Sequence, residues 1–207
     1  MTFRAQQGDK SKEHGGFEHV TVLLEHLRLT WLLRHFPARF VWSAYVGVNG
    51  FVTIALLSLL ALVTGSPFVF PSLGPTAYLF FFSPMSKASS PRNTILGHAI
   101  GLVCGYAAFM LTVLGGQPAS IHGGVRGLTV MAAALSLSAT GALMVLFKVS
   151  HPPAGATTLI VSLGIIATPK DLVVIEAAVI LLTVQAFVLN RLAGMPYPLW
   201  SPSAVMR

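Results

Sequence analysis

Long apolar stretches separated by short polar ones dominate this chain. Four of the stretches are long enough to cross a bilayer as a helix, which takes about 20 apolar residues. They cover residues 41–64, 94–114, 127–147 and 172–190. Two shorter apolar stretches, 66–82 and 152–167, are interrupted by prolines and glycines. The pattern predicts an all-α membrane protein, a helical bundle with four full spans and two broken segments.

The N-terminal region has a different pattern. Residues 1–16 are polar and are expected to be disordered. In residues 17–36 apolar side chains recur at helical spacing with charged side chains between them, which predicts an amphipathic helix lying on the membrane surface. A helix that docks on a cytoplasmic partner is the alternative. The rest of the chain is expected to form one transmembrane domain, 37–195, and a proline-rich tail, 196–207.

An internal repeat appears in the two broken segments. The sequences PSLGPT, from position 71, and PPAGAT, from position 152, share the pattern P-x-x-G-x-T at an offset of 81 residues. Each lies between two long spans, so the repeats are predicted to cover 41–114 and 127–190. Interrupted hydrophobic segments at matching positions of two halves are typical of a transport site.

The charges bear on whether the broken segments cross the bilayer or re-enter from one side. If they cross and the N-terminus is cytoplasmic, four basic residues lie inside, namely Lys87, Arg92, Lys148 and Arg191. Arg126 and Lys170 then lie outside. Re-entry places Lys87, Arg92, Lys148 and Lys170 outside instead. Because cytoplasmic loops are usually rich in Lys and Arg, we expect an inverted 3+3 repeat with six crossings and both termini in the cytoplasm, with re-entry as the alternative.

Composition narrows the class of solute. Of 207 residues 54% are hydrophobic and 9% are charged, and the net charge is +7. None of the six acidic residues lies between positions 26 and 170. A membrane core without carboxylates is poorly equipped to bind metal cations or to relay protons through Asp or Glu. The composition therefore favours a neutral or anionic solute, and we expect no metal, no cofactor and no nucleic-acid partner.

The stretch KVSHPPAGATTLIVSL, residues 148–163, carries the candidate chemistry. Proline is favoured at the first position of a helix, so a short helix is predicted to begin at one of the two prolines. The start of a helix presents free N–H groups and a partial positive charge, which together bind anions. We therefore predict an anion site formed by the two broken helices. Its predicted residues are Ser72, Gly74, Thr76, His151, Ala154, Gly155, Thr157 and Thr158.

For several other polar and small residues in the spans, the sequence is compatible with more than one role. Asn49 is predicted either to line the pathway or to pin two helices together, and Lys148 to line the entrance or to extend to the interface. His98 is expected to be structural. The glycines at 97, 101 and 105 predict close helix packing within or between subunits, and we expect a homo-oligomer.

The sequence SHPPAGA, residues 150–156, resembles the signature of the HPP family of membrane proteins. The stretches PSLGPTAYLFF and PRNTILGHAIG are also similar to that family, and the resemblance covers about residues 37–190. Members in cyanobacteria and chloroplasts are implicated in nitrite transport, so the resemblance implies a nitrite transporter or channel. The family is commonly described with four spans, which the six-crossing interpretation exceeds by counting both broken segments.

Three function classes follow. The first is a transporter or channel for a small inorganic anion, expected in a bacterial plasma membrane. The second is a membrane-embedded enzyme, which we do not expect, because the core offers neither HExxH nor GxSxG nor a carboxylate. The third is a membrane scaffold or sensor that acts through its N-terminal amphipathic helix.

Overall fold

The computed structural model describes residues 28–116 and 127–202, and within these ranges it is all helical. The α-helices are α1 Leu29–His35, α2 Ala38–Thr64, α3 Leu73–Phe82, α4 Pro91–Leu114, α5 Gly127–Leu146, α6 Pro153–Ser162 and α7 Pro169–Leu192. A 3-10 turn, Lys87–Ser89, precedes α4. Four helices, α2, α4, α5 and α7, are long and apolar enough to cross a membrane. The prediction of an all-α membrane protein with four full spans is confirmed.

Helices α4 and α7 begin three residues earlier than hydropathy predicts. Both start with a proline after a capping hydroxyl: Ser90 accepts from the Asn93 amide at 3.4 Å, and Thr168 accepts from the Asp171 amide at 3.2 Å. Such caps satisfy amides that have no partner within the helix. The first turns, PRN and PKD, are polar, so a search for apolar residues misses them.

The two broken segments contain helices of equal length. Helices α3 and α6 have ten residues each, which gives about 15 Å at 1.5 Å per residue. Non-helical chain precedes both, from Gly65 to Ser72 and from Phe147 to Pro152. Each half of the domain thus holds a long helix, a ten-residue helix and a 24-residue helix in that order.

Helix α6 packs closely along α4 on the predicted glycine series. A Cβ built on Gly97 would lie 2.7 Å from the His151 Cβ, and one on Gly101 would lie 2.7 Å from the Ala154 carbonyl oxygen. At Gly105 it would lie 2.7 Å from the Thr158 carbonyl oxygen. The predicted close packing is confirmed, and it occurs within one chain. The series therefore no longer supports the expected homo-oligomer, which stays a prediction.

The core of the bundle lies between α2, α3, α4, α6 and α7. Its largest fully buried apolar side chains are Leu57, Leu73, Phe80, Phe81, Ile175, Leu182 and Tyr197. Tyr197 comes from the C-terminal tail, packs against Phe80 and Phe187, and donates its hydroxyl to the Ser89 carbonyl. The beginning of the tail thus fixes the turn that leads into α4.

The N-terminal residues that the structure describes pack on the end of α7. The Leu29 amide donates to the Ala193 carbonyl at 3.0 Å, and Leu29 is buried with Val41 and Ala193. Residues 1–16, and residues 17–27 of the predicted amphipathic helix, lie outside the described residues. Helix α1 therefore represents only the end of that predicted element.

Several helix ends meet on one side of the bundle. The Tyr45 hydroxyl, near the start of α2, donates to Asn190 near the end of α7 at 2.8 Å. The Arg92 guanidinium, at the start of α4, donates to the Phe147 and Lys148 carbonyls beyond the end of α5, both at 3.0 Å. We call this side the basic end. Among the described residues it carries Arg28, Arg34, Arg39, Lys87, Arg92, Lys148 and Arg191.

The opposite side, which we call the distal end, is formed by the end of α2, the end of α6 and the start of α7. Gly65–Pro67 and Gly164–Thr168 line a cavity of about 680 Å³ there, together with Phe109 and Asp171. Lys170 is the basic residue at this end within the part of the chain that the structure describes.

Candidate functional site

Two histidines lie side by side inside the bundle. His98 is on α4, seven residues after its start, and His151 is in the turn that leads into α6. Both are fully buried, and their Nε2 atoms are 3.2 Å apart. Gly97 makes this approach possible, because any larger residue would place its Cβ against His151. Pro152 and Pro153 then direct the chain into α6.

Hydroxyl groups from α3 and α6 surround the two imidazoles. The Thr76 Oγ1 atom lies 3.0 Å from His98 Nε2 and 3.3 Å from His151 Nε2. On the other side of the His98 ring, Thr157 Oγ1 lies 2.7 Å from Nδ1 and 2.6 Å from Ser72 Oγ. All five side chains are fully buried. We call Ser72, Thr76, His98, His151 and Thr157 the histidine cluster.

The partners of the two rings determine the positions of their protons. His151 Nδ1 lies 2.7 Å from the Ala88 carbonyl oxygen, which can only accept, so this nitrogen carries a hydrogen. In a neutral ring His151 Nε2 is then an acceptor. Because the Thr76 hydroxyl donates to the Ser72 carbonyl, the hydrogen between the two Nε2 atoms belongs to His98. His98 Nδ1 must therefore accept from Thr157, and Thr157 from Ser72.

The result is one chain of hydrogen bonds with a single direction. It runs from the Ser72 hydroxyl through Thr157, His98 and His151 to the Ala88 carbonyl. The Thr76 hydroxyl stands beside the chain and donates to the Ser72 carbonyl at 3.0 Å. Such chains can transmit a change at one end to the other, because each hydroxyl and each imidazole can exchange its donor and acceptor roles.

The surroundings of the cluster are positively polarised and lack carboxylates. Helices α3 and α6 both begin beside it, and a helix start carries roughly half a positive charge. The acidic residues of the described chain, Asp171 and Glu176, are on α7 and make no hydrogen bond to the cluster. Within the described ranges no group of three or more His, Cys, Asp and Glu could hold a metal ion.

The backbone amides at the start of α6 are already occupied. The Ala154 amide donates to the His151 carbonyl at 3.1 Å, and the Gly155 amide donates to the Pro152 carbonyl at 3.0 Å. Pro152 and Pro153 have no N–H group to offer. The side-chain hydroxyls and imidazoles of the cluster, rather than these amides, are thus the groups that can turn towards a ligand.

The other residues predicted for the site lie outside the histidine cluster. Thr158 is adjacent but is directed to α5, with its hydroxyl 2.9 Å from that of Thr140 and bonded to the Ala154 carbonyl. Gly74 is exposed and Gly155 half-buried. Asn49 donates to the Tyr45 carbonyl of its own helix at 2.7 Å. Lys148 is exposed at the basic end, with a left-handed backbone (φ 53°).

The comparisons with known proteins agree with this architecture. A family model described as the transmembrane region of HPP proteins matches residues 35–198, which is most of the chain. This chain belongs to the HPP family. A curated relative of this HPP protein is a transmembrane protein of Dictyostelium discoideum, 31% identical over 120 residues. The match covers 58% of this chain and 35% of the relative, so the chain spans about a third of that protein's length. No solved structure matches this HPP protein.

The tripeptide His151-Pro152-Pro153 of this HPP protein occupies the centre of the site. The histidine is a member of the cluster, and the prolines form the turn and the first residue of α6. The motif thus combines a buried titratable group with a fixed helix start.

Sequence reasoning missed His98, which we expected to be structural. It also missed Thr94, whose hydroxyl is 3.4 Å from His151 Nδ1. A signal was present, because Thr94 and His98 are four residues apart and therefore share a face of α4. That face also carries Gly101, on which α6 packs.

Proposed function

We propose that this HPP protein is a transporter or channel for a small inorganic anion, with nitrite as the first candidate. The observation that carries the proposal is the histidine cluster: two ten-residue helices begin beside a buried, carboxylate-free group of hydroxyls and imidazoles. Nitrite comes from the resemblance of the chain to family members implicated in nitrite transport. The relative from Dictyostelium adds its description as a transmembrane protein.

An anion is the solute that best fits the chemistry of the cluster. The cluster consists of hydroxyl and imidazole N–H groups, which are hydrogen-bond donors, and the positive ends of α3 and α6 favour negative charge. A cation would find no carboxylate there, and burying a charge without a partner is costly. The neighbouring part of the bundle, between Gly97 and Gly105, is closely packed, so the anion would be small or would require helix movement.

We further propose that the two halves are inverted repeats and that the chain crosses the membrane six times. The equal lengths of α3 and α6 and of α4 and α7 support the repeat, as do the matching caps of α4 and α7. The start of α4 lies at the same end as the start of α2, so the chain between these helices would cross the bilayer in full. The abundance of Lys and Arg at the basic end supports a cytoplasmic location for that end and for both termini.

Cysteine accessibility distinguishes six crossings from re-entry. In a Cys104→Ser background, Lys87→Cys and Lys170→Cys each place one thiol on an exposed residue. With six crossings a membrane-impermeant maleimide labels the two variants from opposite sides, and Lys87→Cys shares its side with Arg39→Cys. Labelling of both lysine positions from the same side would contradict six crossings and support re-entry.

Anion flux into proteoliposomes tests the proposed function. We expect nitrite uptake above that of empty liposomes, with nitrate and chloride as comparison anions. Thr157→Val keeps the side-chain volume but breaks the hydrogen-bond chain between Ser72 and His98, which costs about 1–3 kcal/mol for the unpaired groups. We expect at least about a fivefold loss of flux, since 1 kcal/mol corresponds to roughly that factor.

Thr183→Val is the matched control for this experiment. Thr183 is also buried, but its hydroxyl donates only to the Val179 carbonyl of its own helix, α7. This variant should keep wild-type flux. Equal flux of all three anions would remove the nitrite assignment and leave the anion site. If folded wild-type protein carries none of them, the proposed function is wrong.

We also propose a bacterial plasma membrane as the location. A homo-oligomer remains our expectation for its assembly, and the mass of the protein in a native nanodisc would test it.

A further inference from the structure

We propose that the histidine cluster binds one proton together with each transported anion, so that the co-substrate of the anion is H⁺. The added proton would occupy Nδ1 of His98, and the hydrogen between the Nε2 atoms of His98 and His151 would remain in place. This inference rests on the proposed function, because it assigns a second substrate to the same site. It is carried by the geometry of the hydrogen-bond chain.

One nitrogen of the two imidazole rings, His98 Nδ1, can still take up a proton. In the neutral cluster His151 carries a hydrogen on Nδ1 and His98 carries one on Nε2. An added proton gives three hydrogens on four nitrogens: His151 keeps Nδ1–H, and one hydrogen lies between the two Nε2 atoms. The third must then occupy His98 Nδ1. The Nε2 atoms are 3.2 Å apart, close enough to share a hydrogen without any movement of the backbone.

Proton uptake reverses the remainder of the chain. Once His98 Nδ1 carries a hydrogen it donates to Thr157 Oγ1, from which it previously accepted. Thr157 must then donate to Ser72 Oγ across the 2.6 Å contact. The Ser72 hydrogen, no longer committed to Thr157, becomes free to donate to an anion at the start of α3. Protonation of the histidines therefore creates a hydrogen-bond donor for the anion, and this couples the two substrates.

The charged residues near the cluster include no acidic side chain that is hydrogen-bonded to it. On the elements that pack against it, the charged residues are the cations Lys87, Arg92 and Lys148, at the basic end. The other titratable residues there are Tyr78 on α3 and Cys104 and Tyr106 on α4, whereas α5 and α6 have none. Helix α7, which packs against α3 and α4, adds Lys170, Asp171, Glu176 and Arg191, and none of these four bonds to the cluster.

A proton alone would thus be an unpaired positive charge in a buried site that is already positively polarised. An anion alone would meet a cluster whose hydrogens are committed to internal partners. The proton and the anion together are neutral. The anion compensates the charge of the proton, and the proton frees the Ser72 hydroxyl to donate to the anion. By linkage, each must raise the affinity for the other by the same factor. Transport is therefore expected to be electroneutral, with one proton for each anion.

The test measures anion flux, internal pH and voltage dependence together in proteoliposomes loaded with a pH-sensitive dye. Nitrite and nitrate are the probes, and empty liposomes correct for unaided diffusion of nitrous acid. We expect internal acidification in a one-to-one ratio to anion uptake and no change of flux when valinomycin and K⁺ set a membrane potential. Below saturation by protons, uptake should rise up to tenfold for each unit by which the external pH falls.

His98→Gln is the discriminating variant, because glutamine can hydrogen-bond to Thr157 but cannot take up a proton. We expect it to lose the pH dependence and the acidification, while Thr183→Val keeps both. Anion flux without proton movement, or flux that follows the membrane potential, would overturn proton coupling and leave the proposed anion function intact. If folded wild-type protein moves neither anions nor protons, both proposals are overturned.

Discussion

The variant Gly101→Val is expected to lose the native packing of α6 against α4. A Cβ at this position would lie 2.7 Å from the Ala154 carbonyl oxygen and 2.9 Å from Thr158 Oγ1. The first of these is a backbone atom, so relief requires that the whole of α6 move away from α4. Overpacking of a close-packed interior costs about 1–3 kcal/mol, and here the displaced helix also carries Thr157 and follows His151. We expect a large fall in the apparent unfolding temperature in detergent and complete loss of transport.

The control for this variant is Gly141→Ala on α5. A Cβ at Gly141 meets no atom within 4 Å, and alanine is favoured over glycine inside a helix by about 0.5–1 kcal/mol. Gly141→Ala should therefore be neutral or stabilising, whereas Gly101→Ala should already destabilise. If Gly101→Val unfolds at the wild-type temperature, α6 does not pack on α4 as described.

The variant His98→Ala is expected to reduce anion flux at least tenfold. His98 bonds to Thr157, Thr76 and His151, and its removal leaves all three buried groups without that partner. Each unpaired buried group costs about 1–3 kcal/mol, and a single loss of 1.4 kcal/mol already corresponds to a factor of ten. The variant also interrupts the only chain described between Ser72 and the Ala88 carbonyl.

His35→Ala provides the comparison for His98→Ala. His35 is exposed on α1, and its Nδ1 lies 2.8 Å from the Trp31 carbonyl oxygen of the same helix. Flux through this variant should equal that of the wild type. Initial rates of nitrite uptake, normalised to the amount of folded protein in the liposomes, measure both effects. Wild-type flux in His98→Ala would exclude His98 from the transport site.

The long helices could be predicted from the sequence because hydropathy alone determines them. The starts of α4 and α7 could not be placed, since Ser90 and Thr168 cap polar first turns that carry no hydropathy signal. The residues from Gly65 to Ser72 are another place where the sequence does not locate the start of a helix. Their prolines predict an interruption, but the point at which α3 begins depends on its packing against the neighbouring helices.

Four of the five residues of the histidine cluster could be predicted, because they lie in or beside a repeated sequence pattern. Ser72, Thr76 and Thr157 lie in the two short repeats, and His151 directly precedes the second repeat. His98 lies in an uninterrupted span, where a single histidine is usually a packing residue. Its role depends on the position of α6 along the glycines of α4. The occupied amides of Ala154 and Gly155 were equally unpredictable, because turn hydrogen bonds depend on backbone geometry.

The most direct test of the anion site is nuclear magnetic resonance of the histidine side chains in the ¹⁵N-histidine-labelled protein, titrated with sodium nitrite in nanodiscs. The account predicts that the resonances of His98 and His151 shift together and saturate, that His35 is unaffected, and that the Thr157→Val variant weakens the response. Resonances of His98 and His151 that stay unchanged, while the protein transports nitrite, would place the anion elsewhere and contradict the account.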